Sequence, residues 1–241
     1  MRAAAAMTTT TTAMTMTEDA LFRLMTWLSP SYPVGAFSYS HGLEYAVEIG
    51  AIGDGASLGQ WVATALTAGA GRSDAALFAA AYRAACAGEA ASLDEVAALA
   101  AAWRGTAETA LESAAQGAAF LATTRAAWPH PALEALALRH DGAVALPVAV
   151  AAAAAAHNVA LRPALMAFLH AFTGNLVSAG IRLIPLGQTE GQRCLAALAT
   201  TVAAAVESAL ATPLEEVGTA APVLDWCSMR HETQYTRLFR S

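Results

Sequence analysis

Apolar residues recur along this chain at every third or fourth position and almost nowhere in strict alternation. Leu21, Leu24, Met25 and Leu28 mark a first helix, which the Ser29–Pro30 pair stops. After an irregular segment, a helix is expected from about Ser40 to Ile49, ending in the glycine-rich turn Gly50 to Gly55. Ser57 with Gln60 reads as a capping box for a helix whose face is Leu58, Trp61, Val62, Ala65 and Leu66. Gly71-Arg72-Ser73-Asp74 reads as a break before a helix through Leu77, Phe78, Ala81 and Tyr82. Ser92 with Glu95 repeats the capping logic for a helix to Trp103, and another runs from Thr106 to Ala127, stopped by Trp128-Pro129. A short helix over 131–139 and an alanine-rich one over 143–157 follow, and Leu161, Leu165, Leu169, Phe172 and Leu176 stripe the next. Thr189 with Gln192 opens a last long helix carrying Leu195, Leu198, Val202, Val206 and Leu210. The best strand candidate, Gly180 to Leu186, is short. The pattern predicts an all-α single domain over 18–222, a bundle of about ten helices with short loops.

Composition sharpens this. The chain has 241 residues, of which 56% are apolar and 13% charged, and alanine carries the hydropathy. Its longest uncharged apolar run, Ala143 to Ala156, contains Pro147 and falls short of the roughly 20 strongly apolar residues of a membrane span. It reads as a buried helix. Alanine helices form readily but bury little area each, so such a bundle needs close helix approach and favours further burial against a partner.

The net charge is −6 and every basic residue is arginine. Without lysine there is no Schiff base and no G-K-S/T phosphate loop. An acidic chain of this kind is also a poor nucleic-acid binder. Cys86, Cys194 and Cys227 form no C-x-x-C pair, which suits a reducing compartment. No secretory signal is visible, and residues 1–17 read as a disordered Thr/Ala-rich leader.

Two segments stand apart from the alanine helices. In Ser29 to Glu44, Pro30 and Pro33 stiffen the backbone and Gly35 permits a conformation closed to side chains. Ser38 and Ser40 are placed to cap the following helix, with Glu44 answering. The tail 223–241 interleaves Trp226, Met229, Tyr235, Leu238 and Phe239 with Arg230, Arg237, Arg240 and a single Glu232. Tyr235 and Phe239 stand one helical turn apart. Aromatic, Met and Arg enrichment is the composition of an interface centre.

Candidate chemistry is sparse. Ser38-Tyr39-Ser40-His41-Gly42 approaches the G-x-S-x-G elbow, but that elbow needs a buried strand before it, so capping is the preferred reading of Ser40. His41 and Glu44 share a predicted helical face, yet two ligands do not make a durable metal site. His130, His140, His157, His170 and His231 show no paired spacing. Gly69-Ala70-Gly71 reads as a turn between helices. Glu108, Glu112 and Gln116 share a helical face and read as a solvated or partner-facing stripe, and Trp61, Trp103 and Trp128 as core. No catalytic residue and no metal site is assigned.

The segment Ser-Pro-Ser-Tyr-Pro-Val-Gly-Ala-Phe-Ser-Tyr-Ser-His-Gly-Leu-Glu over 29–44 closely resembles the N-terminal motif of the urease accessory protein UreF family. The resemblance continues over Arg182 to Gln192 and ends with Met229 to Ser241, in the family's order. It implies an all-helical, dimerising, cytoplasmic protein without catalytic activity. Such a protein binds UreD (also called UreH) and recruits the GTPase UreG. Nickel, usually supplied by UreE, is then inserted into the urease apoprotein. GTP belongs to UreG, and no cofactor is held stably.

On this resemblance, the partner-binding residues are Tyr39, His41, Glu44, Arg230, His231, Glu232, Gln234, Tyr235, Arg237, Leu238 and Phe239. Ser29, Pro30, Pro33, Gly35, Ser38, Ser40, Gly42, Arg182, Pro185, Gly187 and Gln188 form its structural motif residues. The tail is expected to be mobile alone and to order on UreD, with Arg230, Tyr235 and Arg237 helping to receive UreG. His41, Glu44 or His231 would touch nickel in transit. The alternatives are a serine hydrolase using Ser40 and a bare helical dimerisation module.

Overall fold

The most alanine-rich stretch of the chain lies at its centre. In the computed structural model, which describes residues 16–241, the helix Leu146–Ala156 is buried continuously from Pro147 to Ala154. The expected leader lies outside the described residues up to position 15; Thr17 already caps the first helix, accepting from Ala20 N at 3.1 Å. Twelve α-helices and no strands occur among the described residues. They are α1 (Glu18–Trp27), α2 (Leu43–Glu48), α3 (Gly55–Thr67), α4 (Ala70–Ala87), α5 (Ala90–Ala102) and α6 (Ala107–Ala127). There follow α7 (Pro131–Arg139), α8 (Leu146–Ala156), α9 (Leu161–Leu183), α10 (Gln188–Ala197), α11 (Ala199–Ala211) and α12 (Pro222–His231).

α8 packs mainly between α4 and α6, and α9 crosses the bundle against α2, α3, α4, α8, α10 and α11. By length and composition α9 could span a membrane, but half of its most apolar window is buried within the bundle. Small side chains permit this closeness. A Cβ on Gly117 of α6 would lie 1.9 Å from the Val144 carbonyl oxygen, so the approach to α8 rests directly on α6 backbone.

Several local expectations are corrected. Residues 71–74 do not break the chain: they form the first turns of α4, where Ser73 Oγ bonds Ala70 O and Asp74 is paired with Arg104 at 2.7 Å. Satisfied in this way, polar residues sit inside a helix. The first capping box is Asp54 with Ser57, one turn earlier than expected, because Asp54 accepts from Ser57 N at 2.8 Å. Ser92 and Thr189 cap nothing, since α5 starts at Ala90 and α10 at Gln188. The strand candidate 180–186 is the end of α9 and a turn. The last long helix is split at Leu198 by a 41° bend, which lets α10 follow α3 and α9 while α11 reaches α4. Trp61 is buried and Trp128 packs against the core, but Trp103 is exposed, following the end of α5.

Candidate functional site: a buried polar seam under the C-terminal segment

One face of α6 forms the wall of the site. Thr106 caps the helix by accepting from Thr109 N at 3.2 Å, and its hydroxyl also bonds Ser228 of α12 at 2.7 Å. Glu108, Glu112 and Gln116 follow at four-residue spacing on the same face. They are buried, where a solvated or partner-facing stripe was expected, because His41, α12 and the tail lie over them. Nothing in the sequence marked this: a three-residue polar helix face reads alike under solvent or another segment, and Arg104, one turn before Glu108, offers the ordinary solvated pairing.

The first motif lies across this wall. Tyr32 anchors it, its hydroxyl 2.8 Å from Thr124 Oγ1 and its ring against Phe120. Gly35 is left-handed at φ +74°, as a constrained turn requires, and Ala36–Ser38 form a 3₁₀ turn. His41 (φ 54°) and Gly42 (φ +74°) are then consecutive left-handed residues. They end the approach, so α2 starts at Leu43 rather than Ser40, with Gly42 at its N-cap. No side chain fits at Gly42, where a Cβ would lie 2.5 Å from Ser228 N.

It follows that His41 is not on α2 and does not share a face with Glu44. Its Nε2 lies 3.0 Å from Glu112 Oε1, and its ring meets Phe172 edge-on. Ser40 does retain part of its capping role, accepting from Glu44 N at 3.4 Å, while its hydroxyl donates to Ser241 O.

Glu44 does not answer a cap at all. Its two carboxylate oxygens accept the backbone N–H of Leu238 at 2.6 Å and of Phe239 at 2.9 Å. His231, with no exposed surface, bridges from this carboxylate to α6: Nε2 is 3.0 Å from Glu44 Oε2 and Nδ1 is 2.8 Å from Glu108 Oε2. Arg237 donates to Glu108 Oε1 at 3.0 Å. Glu112 accepts from Gln116 Nε2 at 2.8 Å and from Ser241 Oγ at 2.9 Å. Backbone pairing closes the end, with Arg240 N donating to Ser38 O and Ser40 N to Ser241 O.

The second motif contributes Arg182. Its guanidinium lies 3.6 Å from the Phe37 ring centroid and 4.3 Å from that of Phe239, and it donates to Phe37 O at 2.8 Å. One cation thus clamps an aromatic residue of the first motif to one of the tail. Pro185, Gly187 and Gln188 are exposed and shape the turn into α10 instead.

The tail is therefore built into the body, where a mobile arm was expected. Residues beyond His231 are not helical, so Tyr235 and Phe239 do not share a face: Tyr235 is fully exposed and Phe239 buried. Tyr39, Glu44, His231 and Phe239 are turned inward. Arg230, Glu232, Tyr235, Arg237 and Leu238 face outward beside Trp226 and Met229, and Gln234 is half-buried.

The buried carboxylates of the seam face histidine and arginine side chains. Burial alone would depress the His41 pKa, but the Glu112 charge and hydrogen bond, with Asp74 behind, outweigh it and Arg104, so the value is raised. Burial raises the Glu108 carboxyl despite His231 and Arg237, and raises Asp74 against Arg104.

Chemically, the arrangement fastens the tail to α2 and α6. Ser40 is sealed beneath the tail and follows a 3₁₀ turn, so it is no nucleophile elbow. Both ring nitrogens of His231 are committed to carboxylates on opposite sides. Among the described residues no three His, Cys, Asp or Glu side chains are grouped to hold a metal ion.

Comparison with known proteins agrees with the motifs. The UreF family model matches residues 52–199. The urease accessory protein UreF of Granulibacter bethesdensis is 55% identical over 224 residues, 93% of this chain and 95% of its own length. Those of Methylobacterium sp. (strain 4-46) and Rhodopseudomonas palustris (strain BisA53) are 51% and 52% identical, over 90% and 92% of this chain and 87% and 93% of their own lengths. These relatives are named accessory proteins rather than enzymes. With three motifs meeting in one seam and this likeness over nearly the whole chain, the protein belongs to the UreF family of urease accessory proteins.

Proposed function

We propose that the chain acts in urease maturation as a non-catalytic adaptor, binding UreD and recruiting the GTPase UreG so that nickel is inserted into the urease apoprotein. The observation that carries this is the outer face of the fastened tail. Trp226, Met229, Tyr235 and Leu238 are exposed there next to Arg230, whose guanidinium lies 5.9 Å from the Tyr45 ring centroid. Large apolar side chains held outward on a rigid base are the makings of an interface centre. The lack of lysine leaves nucleotide chemistry to the partner GTPase, and nickel is cargo for which this chain is assigned no ligand set. Three unpaired thiols fit a cytoplasmic setting. A homodimer belongs to the same proposal, and light scattering of the purified chain measures it.

The test is co-expression with UreD, UreG and the urease subunits. Tyr235→Ala combined with Arg230→Ala should abolish co-purification of UreD and UreG and lower nickel-dependent urease activity, with an unchanged Tm. Wild-type capture and activation by the double variant would overturn the proposal.

A further inference from the structure

Away from the seam, α1 carries two N–H donors that have no acceptor. Arg23 and Trp27 stand four residues apart and so share a face of the helix. Arg23 Nε and Trp27 Nε1 are both buried without a hydrogen-bond partner, and Trp27 as a whole is 1% exposed. Among the described residues Arg23 has one ion partner, Asp19 at 3.8 Å, whose side chain is 85% exposed to water. The Trp27 ring meets His157 edge-on at 5.5 Å between centroids, and His157 lies 5.5 Å from His130. His130 Nδ1 accepts from Ala132 N at 3.2 Å, so the hydrogen of its neutral ring sits on Nε2. His157 Nε2 lies 3.2 Å from the Trp128 carbonyl, which only accepts, so this nitrogen carries its hydrogen too.

We propose that this cluster binds a small oxyanion, a phosphate or a carboxylate, with Arg23 as its main contact and His130 Nε2 and Trp27 Nε1 as further donors. Buried donors without acceptors select such a ligand, since an oxyanion offers lone pairs and brings the negative charge that the guanidinium lacks. The same groups do not suit a metal ion: among the two histidines only His157 Nδ1 is a bare ring nitrogen, and a guanidinium stands beside it. The positive field is felt by His157 itself. Burial first, and then the charges of Arg23 and His130, hold its pKa below the ordinary value despite the Trp128 hydrogen bond. Arg23 is 24% exposed and both histidines are half-buried, so an ion reaches the cluster from solvent. None of these residues belongs to the seam or to the tail, and the site is therefore independent of the partner reading above.

The test is an NMR titration of the isotope-labelled full chain, adding sodium phosphate or sodium acetate against sodium chloride of equal ionic strength. Each of the five tryptophans gives one indole N–H resonance. That of Trp27 should shift and saturate with an oxyanion and stay in place with chloride. Trp61, whose Nε1 is likewise buried without a partner, should not move and serves as the internal control. Arg23→Gln should raise the half-saturating concentration by about tenfold, as the loss of a charged hydrogen-bonding group does. Saturation by phosphate alone, by acetate alone or by both upholds the site and identifies the ligand it prefers. A Trp27 resonance that stays still, or that drifts equally in chloride or in step with Trp61, would overturn it. So would Arg23→Gln binding as tightly as wild type. Should the variant fail to fold, the wild-type titration decides alone.

Discussion

At the scale of single residues, His231 and Gly42 carry the most weight. Replacing His231 by Ala leaves Glu44 and Glu108 buried without their shared donor. Leaving a buried polar group without a hydrogen-bond partner costs about 1–3 kcal/mol, so urea denaturation should show a loss of that order. Tyr235→Ala, at a fully exposed position, should stay within about 0.5 kcal/mol of wild type in the same assay. The two left-handed glycines of the first motif make a second pair. A Cβ at Gly35 meets nothing within 4 Å, so Gly35→Ala should cost only the backbone strain of about 1 kcal/mol. At Gly42 the same strain is joined by a contact 2.5 Å from Ser228 N, and α12 must move. Gly42→Ala should therefore be clearly the more destabilising in denaturation, and equal costs would show that α12 does not rest on this backbone. The need for Gly35 was legible in the sequence from its proline-rich setting. The roles of Glu108, Glu112 and Gln116 were not, because a three-residue polar face reads alike whether water or another segment covers it.

At the scale of elements, helix identity was read from apolar spacing and helix ends were not. α1, α6 and α7 lie close to where breakers and caps placed them, since Pro30, Pro129 and Thr106 act locally. The starts of α2 and α4 differ from the local signals where tertiary pairs intervene, His41 with Glu112 and Asp74 with Arg104. Alanine then sets how closely these helices pack. Ala151 in α8 has no exposed surface, so Ala151→Leu should overpack the α4–α8–α6 layer and cost about 1–3 kcal/mol in chemical denaturation. An unchanged midpoint would mean that α8 is less tightly held than its burial indicates.

Across the whole molecule, the bundle serves to bring together motifs nearly 200 positions apart in sequence. The partner-facing composition of the tail was visible in its aromatic and arginine residues. Its fastening was not, because no periodic pattern marks a segment held by a carboxylate accepting two backbone N–H groups. Where a mobile arm was expected, the tail packs against the body and presents an outward face. Hydrogen exchange of the isolated chain at pH 6 tests this most directly. The Leu238, Phe239 and Arg240 amides, bonded to Glu44 and Ser38, should exchange at least about tenfold more slowly than the amide of exposed Tyr235. Uniformly unprotected exchange from Glu232 to Ser241 would contradict the account.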